Sequence, residues 1–422
     1  MRNIPSNILV THVYSSDNKG DAALTSVLLS DLRRVFPGAK QKILKLDHVH
    51  ESGMFESVPE YPSFMHYALN KFKNPLAKLL YVLYMIPATL VWAAFYRATS
   101  RRLWLPRELR EIADLYADSD LVVAVGGGYI RSRKGLFNRL NIPLLLHPLL
   151  FGHMLGKQTV LYSQSVGPFV NGYEPALVGY VLRKMDVVIL REDISVALLE
   201  RIGVHENVVR SIDSGFLLRA KRSVNVRKQY GIPSDTLLIG VTVREWLGGE
   251  EQEAYERAVA GALDAAVSRY SARVLFIPQV TATKGDDDRI ASRRVRSYML
   301  HQEEATVIND APDHFDVKAI YNELDVLLGT RFHSVIFSLT SFVPVLAIEY
   351  EHKTSGIMHD LGLDRWVVKI EDATEDVLAK GLRELITEQA TYRAQLKKRV
   401  PPYVAQAEQT ADMVAERYAL AD

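Results

Sequence analysis

Asp325-Val326-Leu327-Leu328-Gly329-Thr330-Arg331-Phe332-His333-Ser334 is the stretch whose reading decides the fold. Asp325–Leu328 has the length and apolar content of a buried strand, Gly329 ends it, and Ser334–Ser341 continues at helical spacing. An apolar strand running directly into a helix is the repeating unit of a parallel sheet covered on both faces. In open sheets of this kind ligands bind beyond the carboxyl ends of the strands, where helix N-termini converge. Here that end carries Arg331 and His333.

Outward from this stretch the same grammar repeats. Strand Leu237–Val243 stops at Arg244, and strand Val343–Ile348 stops at Glu349-Tyr350-Glu351-His352-Lys353, which opens a helix. Strands Arg273–Pro278 and Thr306–Ile308 and helices Glu250–Tyr270 and Asp286–Gln302 complete the pattern. Arg244, Arg331, His333 and Lys353 thus come from three strand ends, beside two helix N-termini whose N–H groups attract anions. Guanidinium groups match carboxylate and phosphate geometry, and Lys or His adds a point donor, so the set suits a small, multiply charged anion. The plainer alternative pairs Arg244 and Arg331 with Glu245, Glu349 or Glu351 to tie loops together, and leaves His333 as a core residue; four ionisable groups at three strand ends favour the anion site.

The first half alternates likewise. Strands are expected at Ile8–Val13, Lys42–Leu46, Asp120–Val125, Thr159–Ser163, Asp186–Leu190 and Val208–Ile212. Helices are expected at Asp21–Phe36, Glu108–Ala117, Pro143–Leu155, Pro175–Lys184 and Ile194–Ile202. The basic, apolar-poor segment 219–236 reads as a linker between an N-terminal lobe, 1–218, and a C-terminal lobe, 237–422. A chain of 422 residues exceeds one ordinary core.

Bulk properties exclude several function classes. Net charge is +1 and basic residues are dispersed among acids, which argues against nucleic acid. The absence of cysteine excludes disulfides and thiolate catalysis, and fits a reducing, cytoplasmic compartment. Ile8–Val13 is too brief and too soon polar for a signal peptide. Asp286-Asp287-Asp288 reads as acids stabilising a helix N-terminus rather than a metal site, and His48 and His50 share a face with nothing nearby to complete one. No metal and no cofactor is expected.

Gly329-Thr330-Arg331-Phe332-His333-Ser334, with Pro344–Tyr350, Lys353 and Gly356, resembles the C-terminal signature of the polysaccharide pyruvyl transferase family. Asn18-Lys19-Gly20-Asp21 resembles the family's Asn-x-Gly-Asp loop, Gly126-Gly127-Gly128 its glycine triplet, and Gln164–Phe169 its Ser-x-Gly-Pro-Phe loop. Arg191–Ser195, Asp213 and Thr242-Val243-Arg244 recur in the family's order, so the resemblance runs from residue 18 to about 362. Thr330 stands where many relatives carry Met, and Phe332 where Leu is common.

The resemblance implies an α/β fold of two Rossmann-like lobes with parallel sheets, similar to GT-B glycosyltransferases, with the active site in the inter-lobe cleft. It implies phosphoenolpyruvate as donor and co-substrate, and a saccharide acceptor, lipid-linked or not, belonging to a surface polysaccharide or its precursor. Arg331 and His333, with Arg244, would contact phosphoenolpyruvate; Phe332 would offer its backbone N–H and Lys353 a further anion contact. His333 would be phosphate ligand or general acid, its ordinary pKa of about 6.5 suiting either. Ala at Arg331 or His333 would then abolish transfer and leave the fold intact. The first lobe's loops would face the sugar, which singles out Asp21, Gly127, Gly128, Gln164 and Ser165. Asp21 is equally explained as an acid placed at a helix N-terminus, and Arg191-Glu192 as an internal ion pair. A GT-B-type transferase using a nucleotide sugar, or a non-catalytic glycan-binding relative, is the competing reading. Oligomeric state is left open.

One segment falls outside the signature. Leu79–Tyr96, within an apolar insertion spanning about 64–106, has no charge, and basic residues flank it. Pro87 divides it, and a single crossing would sever the first strands from their sheet. Two readings follow: a helix pair in peripheral contact with the inner face of the plasma membrane, or a helix pair buried at a lobe or subunit interface.

Overall fold

The structure, a computed structural model, describes residues 4–46, 55, 58–132, 137–282 and 287–420. His48, His50 and Asp286 lie outside the described residues. Contacts divide the chain into unit 1 (Met1–Ser15, Leu24–Ser214 and Gln406–Asp422) and unit 2 (Ser16–Ala23 and Gly215–Ala405). Three segments differ from the lobes expected from sequence, the shortest being 215–218, which falls in unit 2. Ser16–Ala23 packs with unit 2, and Gln406–Asp422 packs with unit 1.

Unit 1 contains β1 (Asn7–Val13), most of α1 (Lys19–Val35), β2 (Lys40–Lys45), β3 (Glu60–Pro62), α2 (Phe64–Asn70), α3 (Pro75–Thr99), α4 (Arg107–Ala117), β4 (Leu121–Ala124) and β5 (Gly127–Ile130). There follow α5 (Asn141–Met154), β6 (Gln158–Val166), α6 (Glu174–Leu182), β7 (Val187–Leu190), α7 (Asp193–Arg201) and β8 (Val208–Arg210). The sheet runs β3-β2-β1-β4-β6-β7-β8, with β5 also on β6, and each pair is parallel. Alternate residues supply opposite cores. Ile8 and Val10 join Leu28, Val123 and Tyr162 on one face, and Leu9 joins Val122, Tyr116 and Phe151 on the other.

Unit 2 contains α8 (Val226–Gln229), β9 (Leu238–Thr242), α9 (Gly249–Tyr270), β10 (Arg273–Phe276), α10 (Asp288–Tyr298), β11 (Ala305–Val307), α11 (His314–Tyr321) and β12 (Val326–Gly329). It continues through α12 (Phe332–Thr340), β13 (Val345–Glu349), α13 (Lys353–Asp360), β14 (Val367–Lys369), α14 (Glu375–Thr387) and the start of α15 (Gln389–Leu420). Its parallel strands lie in the order β11-β10-β9-β12-β13-β14. The strand order therefore reverses between β9 and β12, where a doubly wound sheet opens a crevice. Gly329 pairs with Thr242 at that point.

The expected parallel α/β architecture is present in both units. Differences lie in short or interrupted elements: β3, β5, β14, α2 and α11 carry no strong sequence period. Pro87 does not divide the apolar stretch, for α3 is one helix of 25 residues. Asn74 caps its start by accepting from the backbone N–H groups of Leu76 (2.8 Å) and Ala77 (3.3 Å), and left-handed Ser100 ends it. Pro87 costs one backbone bond, which burial of Tyr81, Val82, Met85, Trp92 and Ala93 along the helix offsets.

Candidate functional site

The loop at the switch point of unit 2 is held by a closed set of hydrogen bonds. Thr242 Oγ1, at the end of β9, accepts from the backbone N–H groups of Thr330 (3.1 Å) and Arg331 (3.3 Å) and bonds Ser334 Oγ at 2.8 Å. Ser334 Oγ donates to the Arg331 carbonyl, and Tyr255 Oη bonds Thr330 Oγ1 at 2.7 Å. Buried bonds of this kind are worth about 1 kcal/mol each, and together they fix the direction in which α12 leaves the sheet.

Arg331 is nearly buried, and its Nε/Nη2 edge faces Asp288, with Nε 3.1 Å from each carboxylate oxygen. Asp288, 1% exposed, also accepts from the backbone N–H groups of Gln279 (2.9 Å) and Val280 (3.0 Å). The ion pair thus pins the β10–α10 loop to the start of α12. Of the acids named from sequence as partners, Glu245 pairs with Arg294, Glu349 accepts from Ser355, and Glu351 pairs with Lys353. Two aspartates of the acidic run have distinct places. Asp287 caps α10 through the Arg289 N–H, and Asp288 holds Arg331. Among the described residues no group of three acids or histidines is arranged to hold a metal ion.

From Arg244 to His333 runs a continuous line of rings and cations. The Arg244 guanidinium lies 4.6 Å from the Trp246 ring and 4.3 Å from the Tyr350 ring, and the two rings are 4.8 Å apart. Lys353 Nζ lies 5.9 Å from the Tyr350 ring and 5.1 Å from that of Phe332, which is 5.3 Å from the His333 ring. His333 is half-buried, in the first turn of α12.

Against His333 sits the start of α1. Asn18 pairs with Val280 as an antiparallel bridge, Lys19 N–H donates to the Gln279 carbonyl (2.8 Å), and Thr281 N–H to that of Asp17 (3.0 Å). Asn18 Oδ1 accepts from the N–H groups of Gly20 (3.0 Å) and Asp21 (3.4 Å), while its amide donates to Asp21 Oδ2 (2.8 Å). Gly20 is where close approach matters: a Cβ there would fall 2.1 Å from His333 Nδ1. The Asn18–Asp21 loop, expected with the first lobe, therefore packs in unit 2 against His333. Two helix N-termini, α1 and α12, meet at one imidazole.

The remaining candidates occupy the strand ends of unit 1. A Cβ on Gly126 would fall 2.7 Å from the Ser163 carbonyl oxygen, so the glycine lets β4 press against β6. Gly127 and Gly128 begin β5, and Gly127 has φ +152. Gln164 is fully buried beside Gly127, and neither polar atom of its amide has a hydrogen-bond partner. Ser165 Oγ accepts from Arg191 Nε at 2.8 Å, and Arg191 pairs with Asp213 at 2.5 Å. The expected Arg191–Glu192 pair is thus replaced. Neighbours at a strand end point to opposite sides, and the Glu192 carboxylate accepts from Ser195 Oγ instead (2.7 Å).

Several further residues line these strand ends. The sequence points to Asp288 only as a helix-terminal acid, and it assigns no role to Trp246 or to Tyr350, which stand near Arg244 and Lys353 in the chain. In unit 1, His12 sits at φ 63, bonds the Leu145 carbonyl through Nε2 (2.7 Å) and stacks on Tyr129 with centroids 4.9 Å apart. Burial holds its pKa down at about 4, so it is neutral. Tyr14 packs on the same tyrosine, at 5.5 Å.

The family profile described as polysaccharide pyruvyl transferase matches residues 18–352. The amylovoran biosynthesis protein AmsJ of Erwinia amylovora is 26% identical over 293 residues, 66% of this chain and 69% of that protein. A UDP-N-acetylglucosamine 2-epimerase of Listeria monocytogenes, itself assigned provisionally, superposes with TM-score 0.62 at 12% identity over 97% of this chain and 94% of that one. A glycosyltransferase of Rickettsia africae superposes with TM-score 0.56 at 12% identity, covering 99% of each chain. At such identities the structural likeness shows the fold alone, an α/β fold of two parallel sheets shared with epimerases and GT-B-type glycosyltransferases.

Proposed function

This chain belongs to the polysaccharide pyruvyl transferase family, and from that membership we propose that it moves the pyruvyl group of phosphoenolpyruvate onto a sugar of an exopolysaccharide or its precursor, forming a ketal. The observation that carries the proposal is the meeting of the α1 and α12 N-termini at His333, beside Arg331 and a line of cations. Helix N-termini and guanidinium groups are what a compact trianion requires.

The chemistry balances without an external electron donor or acceptor. Two sugar hydroxyl oxygens bond to C2 of phosphoenolpyruvate, the C2–O bond to phosphate breaks, and C3 gains a proton to become methyl. Of the two hydroxyl protons, one replaces that used at C3 and the other leaves with phosphate. The proposal therefore needs no redox cofactor. His333 supplies or relays the proton to C3, or holds the departing phosphate. Arg331, held in place by Asp288, brings a guanidinium charge to the anion. Arg244, backed by Trp246 and Tyr350, and Lys353 bear the remaining negative charge, orienting the donor and stabilising charge as it develops.

The acceptor is assigned to the Gly127-Gly128 start of β5, with the buried Gln164 amide behind it as a positioning group. Phosphoenolpyruvate is a cytoplasmic metabolite, which assigns the reaction to the cytoplasm. Mass spectrometry of surface glycan from cells with and without this protein tests the reading. Loss of the pyruvyl mass increment is the expected result; an unchanged glycan contradicts it.

A further inference from the structure

α3 has two apolar faces. The inner one, with Tyr81, Val82, Met85 and Trp92, is buried in the core of unit 1 together with Tyr116 and Phe151. The outer one is bare: Leu76, Leu80, Leu83 and Val91 are 62%, 59%, 56% and 60% exposed, at i, i+4, i+7 and i+15 along one side of the helix. Trp104, just beyond the helix, is 79% exposed. Residues 61–107 include seven Lys and Arg and no Asp or Glu, and three of the seven, Lys71, Arg102 and Arg107, pair with Glu108, Asp114 and Glu111. Lys73, Arg97 and Arg101 are exposed at the two ends of α3.

We propose that this face docks unit 1 on an anionic lipid surface, with α3 lying in the plane of the membrane. Leu76, Leu80, Leu83 and Val91 enter the boundary of the acyl region, Trp104 sits at headgroup level, and the cations at both ends meet lipid phosphate. By length and composition α3 could cross a membrane, but its inner face is committed to the core and its Thr89 hydroxyl bonds buried His147 of α5 at 2.7 Å. Charge complementarity chooses lipid over a second copy of the chain. A two-fold contact through this face would set the exposed Lys73, Arg97 and Arg101 of one copy against those of the other, whereas anionic headgroups attract them. The inference stands on α3 and its flanks and does not rest on the transfer reaction.

Sedimentation of the full chain with vesicles tests it. The protein should pellet with phosphatidylglycerol/phosphatidylcholine vesicles and much less with phosphatidylcholine alone, each exposed cation contributing roughly fivefold in partition at low salt. The triple variant Leu80→Glu, Leu83→Glu, Val91→Glu should lose at least about tenfold in partition. Lys73→Glu with Arg101→Glu should remove the preference for anionic lipid. All three positions in the triple variant are exposed, so circular dichroism should be unchanged, as should phosphate release from phosphoenolpyruvate with a water-soluble acceptor. That second readout separates failure of docking from failure of the proposed reaction. The inference is overturned if the wild-type protein stays in the supernatant with anionic vesicles, or if the triple variant pellets as well as wild type. It is equally overturned if light scattering shows a dimer that the triple variant abolishes while vesicle binding is absent.

Discussion

His333 and Gly20 depend on each other through space. Alanine at position 20 would place a methyl carbon 2.1 Å from the imidazole, so the ring or the Asn18–Asp21 turn must move. A displacement of about 1 Å in a positioning group can cost about a hundredfold in rate. Gly20→Ala is expected to lower kcat/KM for pyruvyl transfer at least tenfold, with little change in denaturant midpoint, since the side chain that must yield is half-buried. Arg331 behaves differently. Its removal strands the Asp288 carboxylate at 1% exposure, so Arg331→Ala should lose about 3–5 kcal/mol of stability as well as activity, correcting the expectation that the fold would be untouched. Urea unfolding should show Arg331→Met/Asp288→Asn recovering most of that stability while remaining inactive. Gln164 makes the converse case. Its buried amide has no partner to lose, so Gln164→Leu should be no less stable than wild type while raising the acceptor KM roughly tenfold and leaving that for phosphoenolpyruvate unchanged. The place of Arg331 and His333 between a buried strand and a helix was legible because a cation after an apolar run is chemically conspicuous. Asp288 was not legible as a partner, because nothing local selects an acid 43 residues away.

Among elements, the long apolar strands and amphipathic helices were legible from their periods, whereas β5, beginning Gly-Gly, was not. The continuity of α3 through Pro87 was hidden for a tertiary reason: packing against α5 sustains a helix that local propensity would interrupt. His147 is part of that packing. Burial holds its pKa down at about 3, below the ordinary 6.5, so it folds as neutral imidazole. A depressed histidine pKa contributes stability that is present above pH 6.5 and is lost as pH falls toward 3, on the order of 5 kcal/mol in full. Unit 1 should therefore unfold more readily in this window. In His147→Gln the unfolding free energy should fall less steeply between pH 6.5 and 4; parallel curves for the two proteins would show that the buried imidazole does not govern acid stability.

For the whole molecule, the two parallel sheets were legible because the strand–helix grammar repeats. The division of the chain was less so. Residues 16–23 and 406–422 exchange units, and an amphipathic helix does not declare in its own sequence which core will cover it. That exchange joins Asn18–Asp21 to His333 in unit 2 and leaves Gly127, Gly128 and Gln164 in unit 1. Donor and acceptor variants should accordingly separate. Isothermal titration should find phosphoenolpyruvate binding lost in His333→Ala and retained in Gln164→Leu, with no comparable binding of a nucleoside diphosphate; tighter binding of the diphosphate would favour a nucleotide-sugar donor.

The most direct measurement is phosphate release from phosphoenolpyruvate by purified protein, with and without a glycan acceptor, in wild type and His333→Ala. Acceptor-dependent phosphate release matched mole for mole by ketal on the sugar, and reduced at least about a hundredfold in His333→Ala, is the predicted result. Release that ignores the acceptor, or a His333→Ala variant as active as wild type, would contradict the assignment of pyruvyl transfer to this site.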